Sequence, residues 1–378
     1  MTLSVPKKRP ISRRDPMPGR SRARSNAVRS GFTVVELLVV MTLIGVLLAL
    51  ALPGLGRARL AAKRIECRNN LRNIALGLHG FEAVRNRLPA SGNYFDGGDH
   101  GATHHTWAVS ILPFVDQQAL ADQWNLDKPI TDPVNEPLTR TRIPVFLCPV
   151  DLSRSPPKKG GGDLSYAVNG GVGFTYKTGA GVGDCPMSPF GGNLDLNGNG
   201  KTCTADPKED GTPSDRMYFK WMGLFFLENW KSKGTDRHHA LADVKDGTSQ
   251  TFMVSENART GYDPERADST FANSNPYLCA FYVGVPCRNA SCSPGNVDYS
   301  LSNQGRFRIN SGITDPEGTS PLPNSFHEGG VNMAFADGHV AFLSDQIDGA
   351  VYAALASPQG LFLSKTPLEE VIVSDGAY

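Results

Sequence analysis

Residues 32–52 read FTVVELLVVMTLIGVLLALAL, and this run holds a single charge, Glu36. At about 1.5 Å per residue, a helix of this length covers roughly 30 Å, the thickness of a bilayer core, so the run predicts a transmembrane helix. The residues before it are of opposite character. Lys7, Lys8, Arg9, Arg13, Arg14, Arg20, Arg22, Arg24 and Arg29 face only Asp15 within residues 1–31, a charge of +8. The chain has 378 residues with 38 Lys+Arg, 37 Asp+Glu and a net charge of +1, so the part beyond residue 31 carries −7. The near-neutral total therefore hides a basic leader joined to an acidic body. A leader rich in Arg, Ser and Pro with no apolar period predicts disorder. Its charge orients the span as a single pass, with the N-terminus in the cytoplasm and the body exported from the inner membrane.

A conventional signal peptide fits poorly, because the apolar run is too long and no A-x-A-like site follows it. A carboxylate within a membrane helix costs a few kcal/mol and calls for a positive partner at similar depth. Cleavage after Gly31 would create one, since the new α-amino group of Phe32 is mostly protonated at neutral pH. The basic leader, Gly31, Phe32, Thr33 and Glu36 together resemble the N-terminal signature of type IV pilins and type II secretion pseudopilins. That resemblance implies cutting by prepilin peptidase between Gly31 and Phe32, methylation of Phe32, and pairing of Glu36 with the N-terminus of a neighbouring subunit. Gly45 and Pro53 fall where pilins often weaken the helix, in keeping with the helix-breaking character of both residues.

Beyond Pro53 and Gly54, Leu60, Cys67, Leu71, Ile74, Leu78 and Phe81 recur at helical spacing and predict one apolar stripe on an amphipathic helix that ends near Arg87-Leu88-Pro89. On that stripe Cys67 reads as a buried free thiol. From residue 105 onward, short apolar runs alternate with Gly, Pro, Asn and Asp. Residues 107–115, 145–147, 165–168, 252–255, 331–335 and 339–343 read as strands, with 107–112 equally readable as the start of a helix. Residues 331–335 and 339–343 flank Asp337-Gly338, a pair that favours a mirror-image hairpin turn.

A second resemblance rests on local motifs spread over nearly the whole chain past residue 31. They are Cys67-Arg68-Asn69-Asn70-Leu71, Leu112-Pro113-Phe114 with Gln117, Phe146-Leu147-Cys148-Pro149, Ser165-Tyr166-Ala167, and Asp246-Gly247-Thr248-Ser249 leading to Glu256. Ser325-Phe326-His327-Glu328-Gly329-Gly330 with Asp337-Gly338 completes the set. The pattern resembles a large bacterial family of unknown function that pairs a prepilin-type N-terminus with a C-terminal H-X9-DG motif, here His327, Asp337 and Gly338. It implies a fold and no established chemistry.

Other candidate chemistry is local. Asp195, Asn197 and Asn199, with Gly200 at the sixth position, Lys201 at the seventh and Asp206 at the twelfth, follow a calcium-loop pattern, with a shorter acid in the last place. Gly200-Lys201-Thr202 fails as a phosphate loop because Asp195 stands where the first glycine belongs. Cys185 with Cys203 and Cys287 with Cys292 are disulfide candidates in loop-rich, exported sequence. Seven cysteines is an odd number, and Cys67 or Cys148 reads as the thiol left over. Neither the His104-His105 pair nor His238-His239 has a standard zinc spacing. His327 has no nucleophile at a fixed offset, so the chain does not read as an enzyme.

The expected architecture is α+β: a long N-terminal helix, half in the membrane and half amphipathic, packed on an antiparallel sheet. The expected layout is a leader over 1–31, a span over 32–53, an amphipathic helix over 54–88, a head over 89–370 and a tail over 371–378. Loop insertions are expected near 153–163, 170–215 and 256–305. The function that follows is a pseudopilin-like envelope subunit whose partners are prepilin peptidase, other pilin-like subunits met through the N-terminal helix, and the membrane. A 40% hydrophobic, near-neutral composition excludes wholesale disorder and a general nucleic-acid field. The alternatives are a tethered, non-polymerising module that binds calcium or a glycan and, last, an extracytoplasmic hydrolase.

Overall fold

The computed structural model describes residues 32–94, 103–151, 162–172, 174–178, 181–187, 214–229, 238–258, 270–284, 298–316 and 318–360. Contacts divide the chain into two units, Met1–Arg57 and Ala58–Tyr378. The first helix, α1, is assigned to Val34–Arg85 and so runs through both.

In the first unit the helix opens with a reciprocal cap. Thr33 Oγ1 accepts from the Glu36 backbone N–H (3.2 Å), and Glu36 Oε2 accepts from the Thr33 N–H (2.9 Å) and hydroxyl (2.8 Å). This is the capping box, which satisfies two donors that the first turn would otherwise leave open. The apolar side chains are exposed on every face, Val34 at 81%, Met41 at 67% and Leu50 at 76%. Among the described residues no helix is long and apolar enough to cross a membrane. The side chains at 51, 53–55 and 57 lie outside the described set.

In the second unit the elements after α1 are β1 (Gly92–Tyr94), β2 (Thr103–Thr106), α2 (Trp107–Ser110), α3 (Gln118–Ala121) and α4 (Glu136–Thr139). There follow β3 (Tyr166–Val172), β4 (Phe174–Thr178), β5 (Gly181–Met187), α5 (Asp215–Met222), β6 (Leu227–Asn229) and β7 (Phe252–Glu256). The last are α6 (Pro276–Cys279), β8 (Ala280–Val283), β9 (Gly330–Phe335), β10 (Val340–Ser344) and α7 (Gly349–Ala356). The main sheet has the order β10-β9-β7-β3-β8, beside a three-stranded sheet β2-β1-β6 and the β4-β5 pair. The pairings are antiparallel except β3 with β8 and β1 with β6, giving an α+β fold rich in antiparallel strands.

The main sheet packs against a cluster on each face, and the alternation of its side chains divides them between the two, except in β7, where the register shifts between Phe252 and Val254. Tyr166, Val168, Val254, Ala280, Tyr282 and Ala334 join one cluster with Cys67, Leu71, Ile74 and Leu78 of α1. Ala167, Phe252, Phe281, Val283, Val331, Met333 and Phe335 join another with Tyr218 of α5 and Tyr352 of α7. The helical stripe is thus real from Cys67 onward, while Leu60 is exposed. Close approach explains two glycines on α1: a Cβ at Gly77 would sit 2.8 Å from Val115, and one at Gly80 would sit 2.7 Å from Phe114. The helix also covers the sheet's β10 edge. The Arg64 guanidinium stacks 3.5 Å from the Phe342 ring centroid, and Arg68 donates to the Val340 carbonyl at 3.0 Å.

Several strand assignments change. Residues 107–115 fold as α2 and a 3₁₀ turn at Leu112–Phe114, because Pro113 lacks an N–H for a ladder. Residues 145 and 146 belong to another 3₁₀ turn, Pro144–Phe146, again started by proline, and Leu147 follows it in extended conformation. The stretch 256–305 is not all insertion, since α6 and the buried edge strand β8 lie within it. The hairpin at Asp337-Gly338 is not a two-residue mirror-image turn. Gly338 N–H bonds the Phe335 carbonyl (2.9 Å), Phe335 N–H bonds the His339 carbonyl (2.9 Å), and of the loop residues only Gly338 has a positive φ, +87°. That is a three-residue loop with its left-handed position on glycine.

Candidate functional site

Motifs far apart in the chain meet at the end of β7. Cys67 comes from the buried stripe of α1, and Cys148 follows the Pro144–Phe146 turn. Glu256 is the last residue of β7, and His327 lies in the loop that enters β9. One sulfur, one carboxylate oxygen or one ring nitrogen from each of these four buried residues lies within 4.8 Å of all the others.

The two sulfurs form a disulfide, with Cα atoms 5.2 Å apart and a sequence separation of 81. Neither Cys67 nor Cys148 is therefore the leftover thiol. Among the described residues the free cysteine is Cys279, whose thiol burial pushes far above its usual range. Sequence reasoning missed the pairing because an 81-residue separation leaves no local spacing to read; the signal it did offer was one cysteine in each of two separate motifs.

Around the disulfide, Glu256 is fully enclosed and well supplied with donors. Its Oε2 accepts from the Asn332 backbone N–H at 2.7 Å, and its Oε1 accepts from Asn332 Nδ2 at 3.0 Å. His327 Nε2 stands 3.1 Å from Glu256 Oε1 and 3.7 Å from Cys148 Sγ. Cys148 Sγ is 3.7 Å from the same Oε1. The His327 loop is itself pinned. His327 N–H donates to Ser325 Oγ (2.8 Å), Ser325 N–H donates to Asn310 Oδ1 (2.7 Å), and Asn257 bridges Asn324. Beside this cluster Ser165 Oγ donates to Asp151 Oδ2 at 2.6 Å. Burial pushes the Tyr166 phenol well above its usual range, and the negative charges of Glu256 and Asp151 push the same way. A cavity no larger than one water, lined by Cys148, Ser165, Glu256 and Ser325, adjoins the cluster.

As it stands the cluster is a covalent tie between α1 and the head, flanked by a buried acid–histidine pair. The cysteine beside His327 is bonded to Cys67 and offers no thiolate for attack.

The other sequence-derived candidates are placed as follows. Asp337 does not meet His327; its carboxylate accepts from the His339 backbone N–H (2.9 Å) and contacts His339 Nδ1 (2.6 Å). The Asp246–Ser249 motif braces the same turn, Thr248 O accepting from Asp337 N–H at 3.0 Å. His79 Nε2 contacts the Ala336 carbonyl at 2.9 Å from α1. Asp337 and Gly338 therefore shape a turn, while His327 belongs to the disulfide cluster. Phe32 and Glu36 stand at the exposed start of α1. Gly31, the calcium-loop residues Asp195, Asn197, Asn199, Lys201 and Asp206, and Cys203, Cys287 and Cys292 lie outside the described residues, as do the leader and the tail. Cys185 lies on β5, with its side chain outside them.

Neither the curated proteins nor the solved structures contain a match to this chain. Residues 26–52 match the prokaryotic N-terminal methylation motif, a prepilin-type signal that implies processing by prepilin peptidase and membrane anchoring with an exposed head. The model of the family described as "Protein of unknown function (DUF1559)" matches residues 56–350, which include all four members of the buried cluster, and the chain belongs to that family.

Proposed function

We propose that the protein is a pseudopilin-like structural subunit of a type II secretion- or type IV pilus-like assembly, not an enzyme. It is cut between Gly31 and Phe32, spans the inner membrane once through the run after Phe32, and presents residues beyond the helix on the far side. The observation that carries this reading is the methylation motif over 26–52, set at the start of a helix whose apolar side chains are exposed all round. Such a surface needs lipid or other helices to cover it. Glu36 caps its own helix through Thr33 in the uncut chain. Removal of the leader makes Phe32 the terminus and places a cationic amine four residues before Glu36, the charge a neighbouring subunit would offer to Glu36.

Mass spectrometry of membrane-extracted protein tests the reading. The expected mature chain starts at N-methylated Phe32 in cells with prepilin peptidase and at Met1 in cells without it. A chain that keeps residues 1–31 in both strains would refute it. With processing confirmed, Glu36→Ala is expected to remove subunit–subunit cross-links in native envelopes while leaving cleavage intact; unchanged cross-linking would remove the assembly role.

A further inference from the structure

We propose that Cys67, Cys148, Glu256 and His327 are a redox-gated zinc site: locked as a disulfide when oxidised, and a tetrahedral ligand set for one Zn2+ when reduced. The inference is independent of the assembly role.

The geometry is that of a zinc site with one edge collapsed. Bond lengths of about 2.3 Å to sulfur and 2.0–2.2 Å to nitrogen or oxygen place tetrahedral ligand atoms about 3.3–3.8 Å apart. The Cys148 Sγ–Glu256 Oε1 and Cys148 Sγ–His327 Nε2 separations are both 3.7 Å, and His327 Nε2–Glu256 Oε1 is 3.1 Å. The bonded sulfur pair is far too close, the His327–Glu256 pair is slightly too close, and Cys67 Sγ lies within 4.8 Å of the Glu256 and His327 atoms. With Cα atoms 5.2 Å apart, rotation about the two Cα–Cβ bonds is enough to separate the sulfurs once they are free. The surroundings are those of a held ligand set. Asn332 fixes both oxygens of Glu256, and Ser325 fixes the backbone of His327, so Oε1 and Nε2 are aimed before any ion arrives. The donor set, two thiolates with one imidazole and one carboxylate, favours zinc over the hard cations, which prefer all-oxygen sites. All four residues are buried, and a reduced but empty site would leave two thiols against an enclosed carboxylate. A bound zinc would ligate that carboxylate directly, leave the site's net charge unchanged as the two thiol protons depart, and restore the tie between α1 and the head that reduction removes.

The electrons come from a dithiol reductant. Its thiolate attacks one sulfur, the Cys67–Cys148 bond breaks, and a mixed disulfide forms. The reductant's second thiol then closes its own disulfide. Two electrons pass to the protein, and Cys67 and Cys148 each take up one proton. Zinc binding later displaces both protons as the thiolates coordinate.

The test uses the full-length chain in detergent, with Cys185, Cys203, Cys287 and Cys292 each replaced by serine. The protein is reduced anaerobically with dithiothreitol, desalted, and titrated with Co2+ and then Zn2+. The expected result is one Co2+ per chain, a spectrum with thiolate charge-transfer and tetrahedral ligand-field bands, displacement by Zn2+, and no such spectrum for the oxidised protein. His327→Ala and Glu256→Gln, each checked for a native circular dichroism spectrum, should weaken Zn2+ about tenfold or more. Cys67→Ser and Cys148→Ser should each abolish the charge-transfer bands; should either fail to fold, His327→Ala and Glu256→Gln carry the test alone. The proposal is overturned if dithiothreitol exposes no new thiols, if cobalt adopts an octahedral spectrum, if the oxidised protein binds equally, or if neither variant changes affinity.

Discussion

At Asn332, one side chain and its own backbone hold a fully buried carboxylate in place. Asn332→Ala removes the Nδ2 bond and leaves Oε1 of Glu256 with His327 as its remaining partner here; the expected loss is about 1.5–3 kcal/mol by urea unfolding. A neutral Asn332→Ala would mean that the carboxylate finds water instead. A second residue-scale prediction concerns acid. Asn93 Nδ2 donates to His105 Nε2 at 3.1 Å, and His105 Nδ1 meets His104 Nδ1, so one of those two nitrogens must lack a proton. Burial holds His104 down to about 4, with Asp127 and the Leu126 carbonyl pulling the other way, and burial with the neighbouring His104 drives His105 well below its usual range. Both folded values lie below the unfolded one of about 6.5, so the unfolded chain binds more protons in that window. Stability should be full above about pH 6.5 and fall as the pH drops toward 4. The share traceable to His104 is on the order of 2–3 kcal/mol at pH 4.5. The urea midpoint of His104→Gln should therefore vary less with pH than that of the parent; parallel curves would contradict this account. The buried state of this histidine pair was not legible in sequence, where adjacent histidines read only as a poor zinc motif.

At the scale of elements, local signals carried furthest. The stripe from Cys67 to Phe81 marks the packed part of α1, and the strands on either side of Asp337-Gly338 pair as their alternation predicts. What failed was geometry set by proline and by distance. Pro113 and Pro144 turned two apparent strands into 3₁₀ turns, and β8 hid within sequence of weak period because α6 and the parallel pairing with β3 hold it. The hairpin glycines separate two kinds of requirement. Gly338→Ala is expected to cost about 1 kcal/mol, the price of a left-handed φ where a methyl would meet His79 Cε1 at an ordinary 3.7 Å. Gly330→Ala should cost several times more, because its Cβ would fall 2.0 Å from the Leu343 carbonyl across the β9–β10 ladder. Thermal unfolding of the two variants ranks them; equal losses would show that the β10 strand yields. The disulfide is the other large element-scale contribution. Replacing both Cys67 and Cys148 by alanine should lower stability by about 2–5 kcal/mol, the range for closing a long loop, read as a shift in urea midpoint.

For the molecule as a whole, the separation of charge is the most legible property. A +8 leader and a −7 remainder stand on either side of Gly31. Processing at that bond predicts a large acidic shift on isoelectric focusing, from a near-neutral precursor to an acidic mature chain; a single near-neutral species in cells with the peptidase would contradict cleavage. The motif set that pointed to the family also points to one place in space, since Cys67, Cys148, Ser165, Glu256 and His327 come from separate motifs and gather at the end of β7. Their pattern was visible in sequence, and their convergence was not, because the intervals between them are set by topology. The Cys67–Cys148 bond has a mechanical meaning as well. Traction entering through the N-terminal helix and leaving through the strands beyond Cys148 crosses between them at a covalent bond, bypassing the intervening chain that contains β1, β2 and α2–α4. Without that bond, an 81-residue segment could lengthen by up to about 280 Å as it unravelled. With it, that slack never enters the load path.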